Sequence, residues 1–329
     1  MKKTIAITSA LAAASSLATA EIKINEFLSF EGFVDMSYSH TDAEFDGDSE
    51  SDNSFGIDQV EIDWLFNFGK VTAQVDLQYE DNSLPFSGVE VEQAFVSYDL
   101  GNGSALTMGR YESMLGLEAK EPTGLYQFST AYDEFNTIPQ YAQGVKYTGQ
   151  TGDLSYGVSI QDTVYNDDGV GNLGGSDDND GSYGVEAAVS YTSGAITYAV
   201  GYATEDNDEE PDADILSAHV VYAEGAWTLG AEYNMATLEA DGADDLDVDS
   251  WLVMANYAYS DCCSVTGRIS GVDLEQGSDD ADFIKYTLAH NYALTDNLAI
   301  ITEVSYVDVD DNGLDGDATT AAVEVLFTF

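Results

Sequence analysis

Basic residues are almost missing from this chain: 9 Lys and Arg stand against 61 Asp and Glu, a formal net charge of −52 over 329 residues. That excludes a nucleic-acid binder, because phosphate neutralisation needs clustered Lys and Arg. Cysteine is nearly as scarce, at two residues, which excludes a disulfide-stapled scaffold. Three His and two adjacent Cys leave little material for a zinc or nucleophile site, and no G-x-S-x-G element occurs. No enzyme chemistry is therefore expected. After Glu21 no run approaches the roughly 20 apolar residues of a membrane helix, and helical periodicity is absent. What remains is 44% hydrophobic and 12% aromatic, with 21 Tyr and 30 Gly but four Pro. Such a chain is too apolar for disorder and leans towards an all-β protein.

The N-terminus sets the compartment. Met1-Lys2-Lys3 is a short basic start, Ile5 to Leu17 is mostly apolar, and Ala18-Thr19-Ala20 is an A-x-A-like cleavage site. Residues 1–20 read as a secretory signal peptide removed after Ala20. Residues 21–329 would form the mature chain, with seven basic side chains because Lys2 and Lys3 leave.

The dominant pattern has period two. Val60, Ile62, Trp64, Phe66 and Phe68 share one face, against Gln59, Glu61, Asp63 and Asn67 on the other. Val71, Ala73, Val75, Leu77 and Tyr79 repeat it after Gly69, against Lys70, Thr72, Gln74, Asp76 and Gln78. Successive strand side chains point to opposite faces, so each segment has one apolar and one polar side. About sixteen such segments occur, near 27–39, 55–68, 70–80, 90–100, 104–111, 143–148, 153–162, 182–192, 195–204, 214–223, 227–238, 250–259, 264–274, 283–292, 298–307 and 319–329. Most match the 9–11 residues of a tilted strand crossing a bilayer.

The connections alternate as well. Seven are short, and each follows an aromatic: Phe68, Tyr98, Tyr147, Tyr191, Tyr222, Tyr259 and Tyr292. The other eight are longer and mostly acidic, as in residues 41–53 and 205–212. Short turns at one end, long loops at the other and aromatics at a fixed level predict a transmembrane antiparallel β-barrel of about 16 strands, within 14–18. Closure also satisfies every backbone hydrogen bond, which lipid demands. A secreted β-sandwich or solenoid explains the alternation but not the shared aromatic lead-in. Barrels of 16–18 strands leave an aqueous channel, so the polar faces would line water.

With these features the chain resembles a Gram-negative outer-membrane porin. The C-terminal Val323-Glu324-Val325-Leu326-Phe327-Thr328-Phe329 is similar to the assembly signal of that class. A narrower likeness lies in Gly109-Arg110-Tyr111, Gly116-Leu117-Glu118, Ile138-Pro139 and Gly144-Val145, which resemble the OmpL-like group of β-barrel porins. The resemblance implies outer-membrane lipid and the barrel-assembly machinery as partners, small hydrophilic solutes and ions as cargo, and a homotrimer as the usual state.

The third long loop, residues 112–141, is the longest and carries Met114, Leu115, Leu117, Leu125, Tyr126, Phe128, Tyr132 and Phe135. A long apolar loop is unfavourable in solvent, so it must pack on something. In general porins the third loop folds into the barrel and narrows it, and the same is expected here. Packing over the mouth or against a neighbouring subunit is the alternative.

Parity then nominates the residues a solute meets. Lys70, Lys146, Arg268 and Lys285 fall on the polar face, against Asp35, Glu61, Asp63, Asp76, Glu186, Glu232, Glu303 and Glu324. The loop adds Glu112, Glu118, Glu121, Asp133 and Glu134. Basic wall residues facing an acidic loop would set a transverse field, and the excess of carboxylates would favour cations. Arg110 shares parity with lipid-facing Leu106 and Met108 unless its strand ends or bulges there. Asp308, Asp310 and Asn312 match the opening of a calcium loop, but the twelfth position is Thr319 and no helices flank it. No cofactor is expected beyond weak Ca2+ or Mg2+ binding by that loop. Cys262 and Cys263 are read as free thiols or a vicinal bridge. A non-conducting structural or adhesive barrel with acidic surface loops is the rival function.

Overall fold

The computed structural model describes residues 21–80, 89–135, 138–164, 183–206, 212–239 and 244–329. Residues 1–20, expected to be a signal peptide, and most of the acidic stretch at 205–212 lie outside the described residues. Sixteen long strands follow a two-residue piece, β1 (Ile22–Lys23). They are β2 (Leu28–Phe45), β3 (Asp48–Asn67), β4 (Val71–Glu80), β5 (Glu90–Gly101), β6 (Ser104–Glu112), β7 (Tyr141–Thr151), β8 (Leu154–Gln161) and β9 (Gly184–Ser193). The second half is β10 (Ile196–Glu205), β11 (Asp212–Glu224), β12 (Trp227–Glu239), β13 (Leu246–Ser260), β14 (Cys263–Gln276), β15 (Asp279–Thr295), β16 (Leu298–Asp311) and β17 (Leu314–Thr328). Every long strand pairs antiparallel with its chain neighbours, and β17 pairs with β2, which closes the barrel. Among the described residues no helix is long and apolar enough to cross a membrane.

Closure is sealed at the last residue. Phe329 and Gly32 exchange both backbone hydrogen bonds at 3.0 Å, and the Phe329 ring lies edge-on to Phe30 at 6.2 Å. Alternation runs with the apolar side outwards. In β12, Thr228, Gly230, Glu232, Asn234 and Ala236 are buried, whereas Leu229, Tyr233 and Met235 are exposed. That is the inverse of a water-soluble sheet and is the pattern lipid requires.

All sixteen predicted segments are present, but several strands outrun the predicted bounds. Residues 41–53, read as a long acidic loop, are instead a β-ribbon closed by Asp46-Gly47, both at positive φ (+49° and +84°). Asn312-Gly313, at +53° and +80°, closes the β16–β17 ribbon in the same way. Two residues with φ above zero suit the right-handed twist of the flanking strands. The calcium-loop reading therefore does not match the geometry. Asp308 and Asp310 are strand residues on the outer face, and Asn312 is a turn residue that donates Nδ2–H to Asp311. A row of outward aspartates crosses this region: Asp249 opposes Asp273, Asp273 opposes Asp282, Asp282 opposes Asp310, and Asp310 opposes Asp315.

Candidate constriction site

The loop after β6 turns inwards because of one glycine. Gly109 has φ +129°, and a Cβ there would lie 2.1 Å from the Ala94 carbonyl oxygen. Alternation breaks at this point, so Arg110 and Tyr111 are both buried. Residues 113–135 and 138–140 then lie inside the barrel, with two short 3-10 turns, Pro122–Gly124 and Asp133–Phe135. Leu115, Leu117, Tyr126, Tyr132 and Ile138 pack against Ile215, Val248, Leu252, Met254, Val272 and Phe283 of the inner wall. Gly201 and Gly230 leave room on that wall, since a Cβ at either would meet Leu115 or Leu117 at 3.0–3.1 Å. A fully buried leucine contributes about 1.5–3 kcal/mol, so apolar packing is the main hold on the loop.

Polar clasps fix its register. Glu303 accepts from the Phe128 and Ser129 amides (2.8 and 3.1 Å) and from Ser129 Oγ (2.6 Å). Glu186 accepts from Met114 N and Ser113 Oγ at 2.6 and 2.7 Å. Tyr132 donates its hydroxyl to Glu232 at 3.1 Å. Arg268 Nη1 pairs with Glu118 at 2.6 Å, while its guanidinium also donates to the Ser129 and Thr130 carbonyls. Lys285 holds both Asp133 oxygens, at 2.6 and 2.8 Å. Lys146 donates to the Glu112 carbonyl at 2.8 Å and sits 4.2 Å over the Tyr111 ring.

These contacts change the expected picture of the basic strip. The Arg268 side chain is 0% exposed and lies beneath the loop, so it anchors the loop and does not face the solute. Lys70 is not on the strand wall. It sits exposed in the Phe68–Lys70 turn, because Gly69 at φ +84° needs a three-residue reversal capped by Asn67 Oδ1. Lys70 and Lys146 both line a cavity of about 750 Å³ at the short-turn end, with Gln74, Gln93 and Tyr111. A second cavity, of about 510 Å³, opens beside Tyr126, Asn256 and Asn291 near Cys262 and Cys263. Those thiols are free, with sulfurs 3.0 Å apart.

The nominated acids separate into groups. Glu61 and Asp76 are buried and Asp63 half-buried, and Asp63 directly opposes Asp76 across β3 and β4. Asp35 and Glu324 are buried at the β17–β2 seam. Glu121 comes from the loop to join the first group, accepting from Gln59 Nε2 and the Tyr141 hydroxyl, both at 3.0 Å. Burial, reinforced by Glu92, holds the Glu121 carboxyl well above the usual carboxylate range. Burial pushes the neighbouring Lys120 ammonium down, against the pull of Glu112. Glu134 lies in the second 3-10 turn, with its side chain outside the described residues.

Glu92 and Lys120 escape the sequence reading, which leaves Arg110 ambiguous. Glu92 is the extra residue of a bulge, since Asp76 pairs with Gln93 while Leu77 pairs with Val91, so Glu92 and Gln93 are both buried. Bulges re-aim side chains in this way. Arg110 donates Nε–H to the Glu92 carbonyl at 2.8 Å, and its guanidinium lies 5.4 Å over the Tyr141 ring. Lys120 donates to the Pro139 carbonyl at 3.2 Å. The Gly109-Arg110 pair was the available signal for Arg110, and nothing in the local pattern marks the other two.

Comparison with known proteins places this architecture. The family model for Gram-negative porins matches residues 6–312. No curated protein sequence matches the chain. Among solved structures, a loop L8 deletion mutant of OmpT, an outer membrane protein of Vibrio cholerae, is similar at TM-score 0.69 and 14% identity, covering 92% of this chain and 99% of that one. The outer membrane channel DcaP of Acinetobacter baumannii gives TM-score 0.69 at 11% identity, covering 94% and 100%. An anion-selective porin from Comamonas acidovorans gives 0.67 at 16% identity, covering 92% and 99%. With a closed sixteen-strand barrel, a loop folded into it and a family match over nearly its whole length, the chain belongs to the Gram-negative porins and is an outer-membrane channel for small solutes.

Proposed function

We propose that the channel passes cations in preference to anions, with the inserted loop as its narrowest point. The observation that carries this reading is the unequal pairing of charge. Arg268 and Lys285 are committed to Glu118 and Asp133, whereas no ion pair among the described residues reaches Glu61, Asp63, Asp76 or Glu92. Carboxylates along a pore concentrate cations. Acidic ribbons at the long-loop end add a negative potential that decays over about 8–10 Å in 0.10–0.15 M salt. The Comamonas porin is named anion-selective on the same fold, so the sign of selectivity belongs to lumen side chains and not to the barrel. A homotrimer is the proposed state, supported by the trimer form of the Vibrio OmpT structure.

Planar-bilayer recording of the refolded protein under a salt gradient tests the reading. The reversal potential should have the cation-selective sign and shrink as ionic strength rises. An anion-selective sign would overturn it. A folded barrel without conductance would favour a structural or adhesive role instead.

A further inference from the structure

The acidic side of the lumen holds more carboxylate than its surroundings neutralise. Glu61 on β3 lies within 4.8 Å, oxygen to oxygen, of both Glu92 on β5 and Glu121 on the loop, and those two are equally close to each other. Glu61 and Glu92 are 4% and 3% exposed. Glu92 Oε2 is buried with no hydrogen-bond partner, although it sits in this nest. No ion pair among the described residues reaches these three carboxylates: Arg110 directs its Nε–H to the Glu92 backbone carbonyl, and Lys120 donates to the Pro139 carbonyl. Tyr141 and Arg110 act on the Glu92 carboxylate, but they leave Oε2 without a donor. A buried carboxylate oxygen without a donor is costly, and a buried charge is retained when it is paired or coordinates a metal.

We propose that Glu61, Glu92 and Glu121 bind one hard divalent cation of calcium's size, tying the inserted loop to the wall. Calcium takes oxygen ligands at about 2.3–2.6 Å, so two ligands of one ion can lie up to about 5 Å apart, whereas magnesium's shorter bonds limit them to about 4 Å. Three carboxylates from two strands and a loop, with water completing the shell, suit calcium's loose geometry. Glu61 also approaches Asp63 and Asp76 within 4.8 Å. On that side, however, Asp76 already accepts from Gln74 and Gln93 amides at 2.9 and 2.8 Å, which supply part of the compensation. On the Glu92–Glu121 side, Glu92 Oε2 has no donor, and Glu121 is the one ligand from the loop. The site stands on geometry alone, whether or not the pore selects cations.

Calorimetric titration of Ca2+ into the refolded, chelator-washed full chain in detergent tests the site. One saturable event should rise above the diffuse background of surface carboxylates. Glu121→Gln and Glu92→Gln should each weaken it at least tenfold, and Asp317→Asn, on an exposed ribbon, should leave it unchanged. Calcium should also slow proteolytic cleavage of the loop in the parent and not in Glu121→Gln. A parent showing background alone, or a Glu121→Gln protein binding like the parent, overturns the proposal. So does loss of binding in Asp76→Asn with Glu121→Gln unaffected, which would put the ion elsewhere. Glu121 is on the loop and not in a strand, so its variant keeps the test open if Glu61→Gln fails to refold.

Discussion

The inner wall over β3–β5 and the inner wall over β11–β15 come from the same alternating strands, yet they handle charge in opposite ways. On the second, apolar residues such as Ile215 and Leu252 seat the loop, and each basic side chain is satisfied by a loop acid or carbonyl. On the first, Glu61, Asp76 and Glu92 are buried beside one another without an ion-paired base among the described residues. The loop therefore neutralises one side of the lumen and adds Glu121 to the other. One segment thus gives the lumen its asymmetry of charge.

The largest effect should come from breaking the satisfied side. Arg268→Ala leaves the half-buried Glu118 without its counter-ion, although Gln127 Nε2 and the Ala131 amide still donate to it, and strips the Ser129 and Thr130 carbonyls of a donor. Together these losses should cost about 3–5 kcal/mol in urea unfolding of the refolded barrel. Adding Glu118→Gln should recover part of that loss. An unchanged single variant would mean that the pair is not what seats the loop. Next comes a test of the wall itself. Val75→Arg puts a charge on the lipid face and should cost about 2–4 kcal/mol near mid-membrane, whereas Gln74→Arg faces water and should cost far less. Equal losses would reverse the assignment of inside and outside.

The acidic side should respond in the opposite direction. Asp76→Asn relieves a directly opposed like-charge pair with Asp63, so stability should hold or rise by up to about 1 kcal/mol. The same change should shift the reversal potential towards lower cation preference. A stability loss of several kcal/mol there would show that the acids are as firmly paired as Arg268. The smallest effect is with pH. Glu121 titrates above the ordinary carboxylate range, so it is neutral where exposed acids are already charged. Raising pH ionises it and adds negative charge, and loss of the Lys120 proton acts in the same direction. Cation preference should therefore increase with pH, and Glu121→Gln should flatten the increase.

The strands were legible because lipid imposes a rule on every second residue. Where lipid ends, the rule ends, though the hydrogen bonds continue. Residues 41–53 are wet on both faces, so they lose the apolar period and read as a loop while remaining a paired ribbon. Parity also fails downstream of a register break. Glu92 is hidden by a bulge and Arg110 by the turned backbone at Gly109, and neither event leaves a trace in hydrophobicity. Parity does turn Arg268 and Lys285 inwards, but it cannot say what covers them. Their role depends on a loop that lies 138–155 positions earlier in the chain than its partners on β14 and β15.

The outward row from Asp249 to Asp315 gives the rim a salt response opposite to that of an ion-paired surface. Five carboxylates stand in direct cross-strand opposition on β13 to β17, each against a like charge. Opposed like charges loosen a ribbon, and dissolved ions shorten the reach of that repulsion from about 30 Å at 0.01 M to about 3 Å at 1 M. Amide exchange at the ribbon tips should therefore slow as salt is added. The protruding ends of these strands are stiffest in brine and fray first in fresh water.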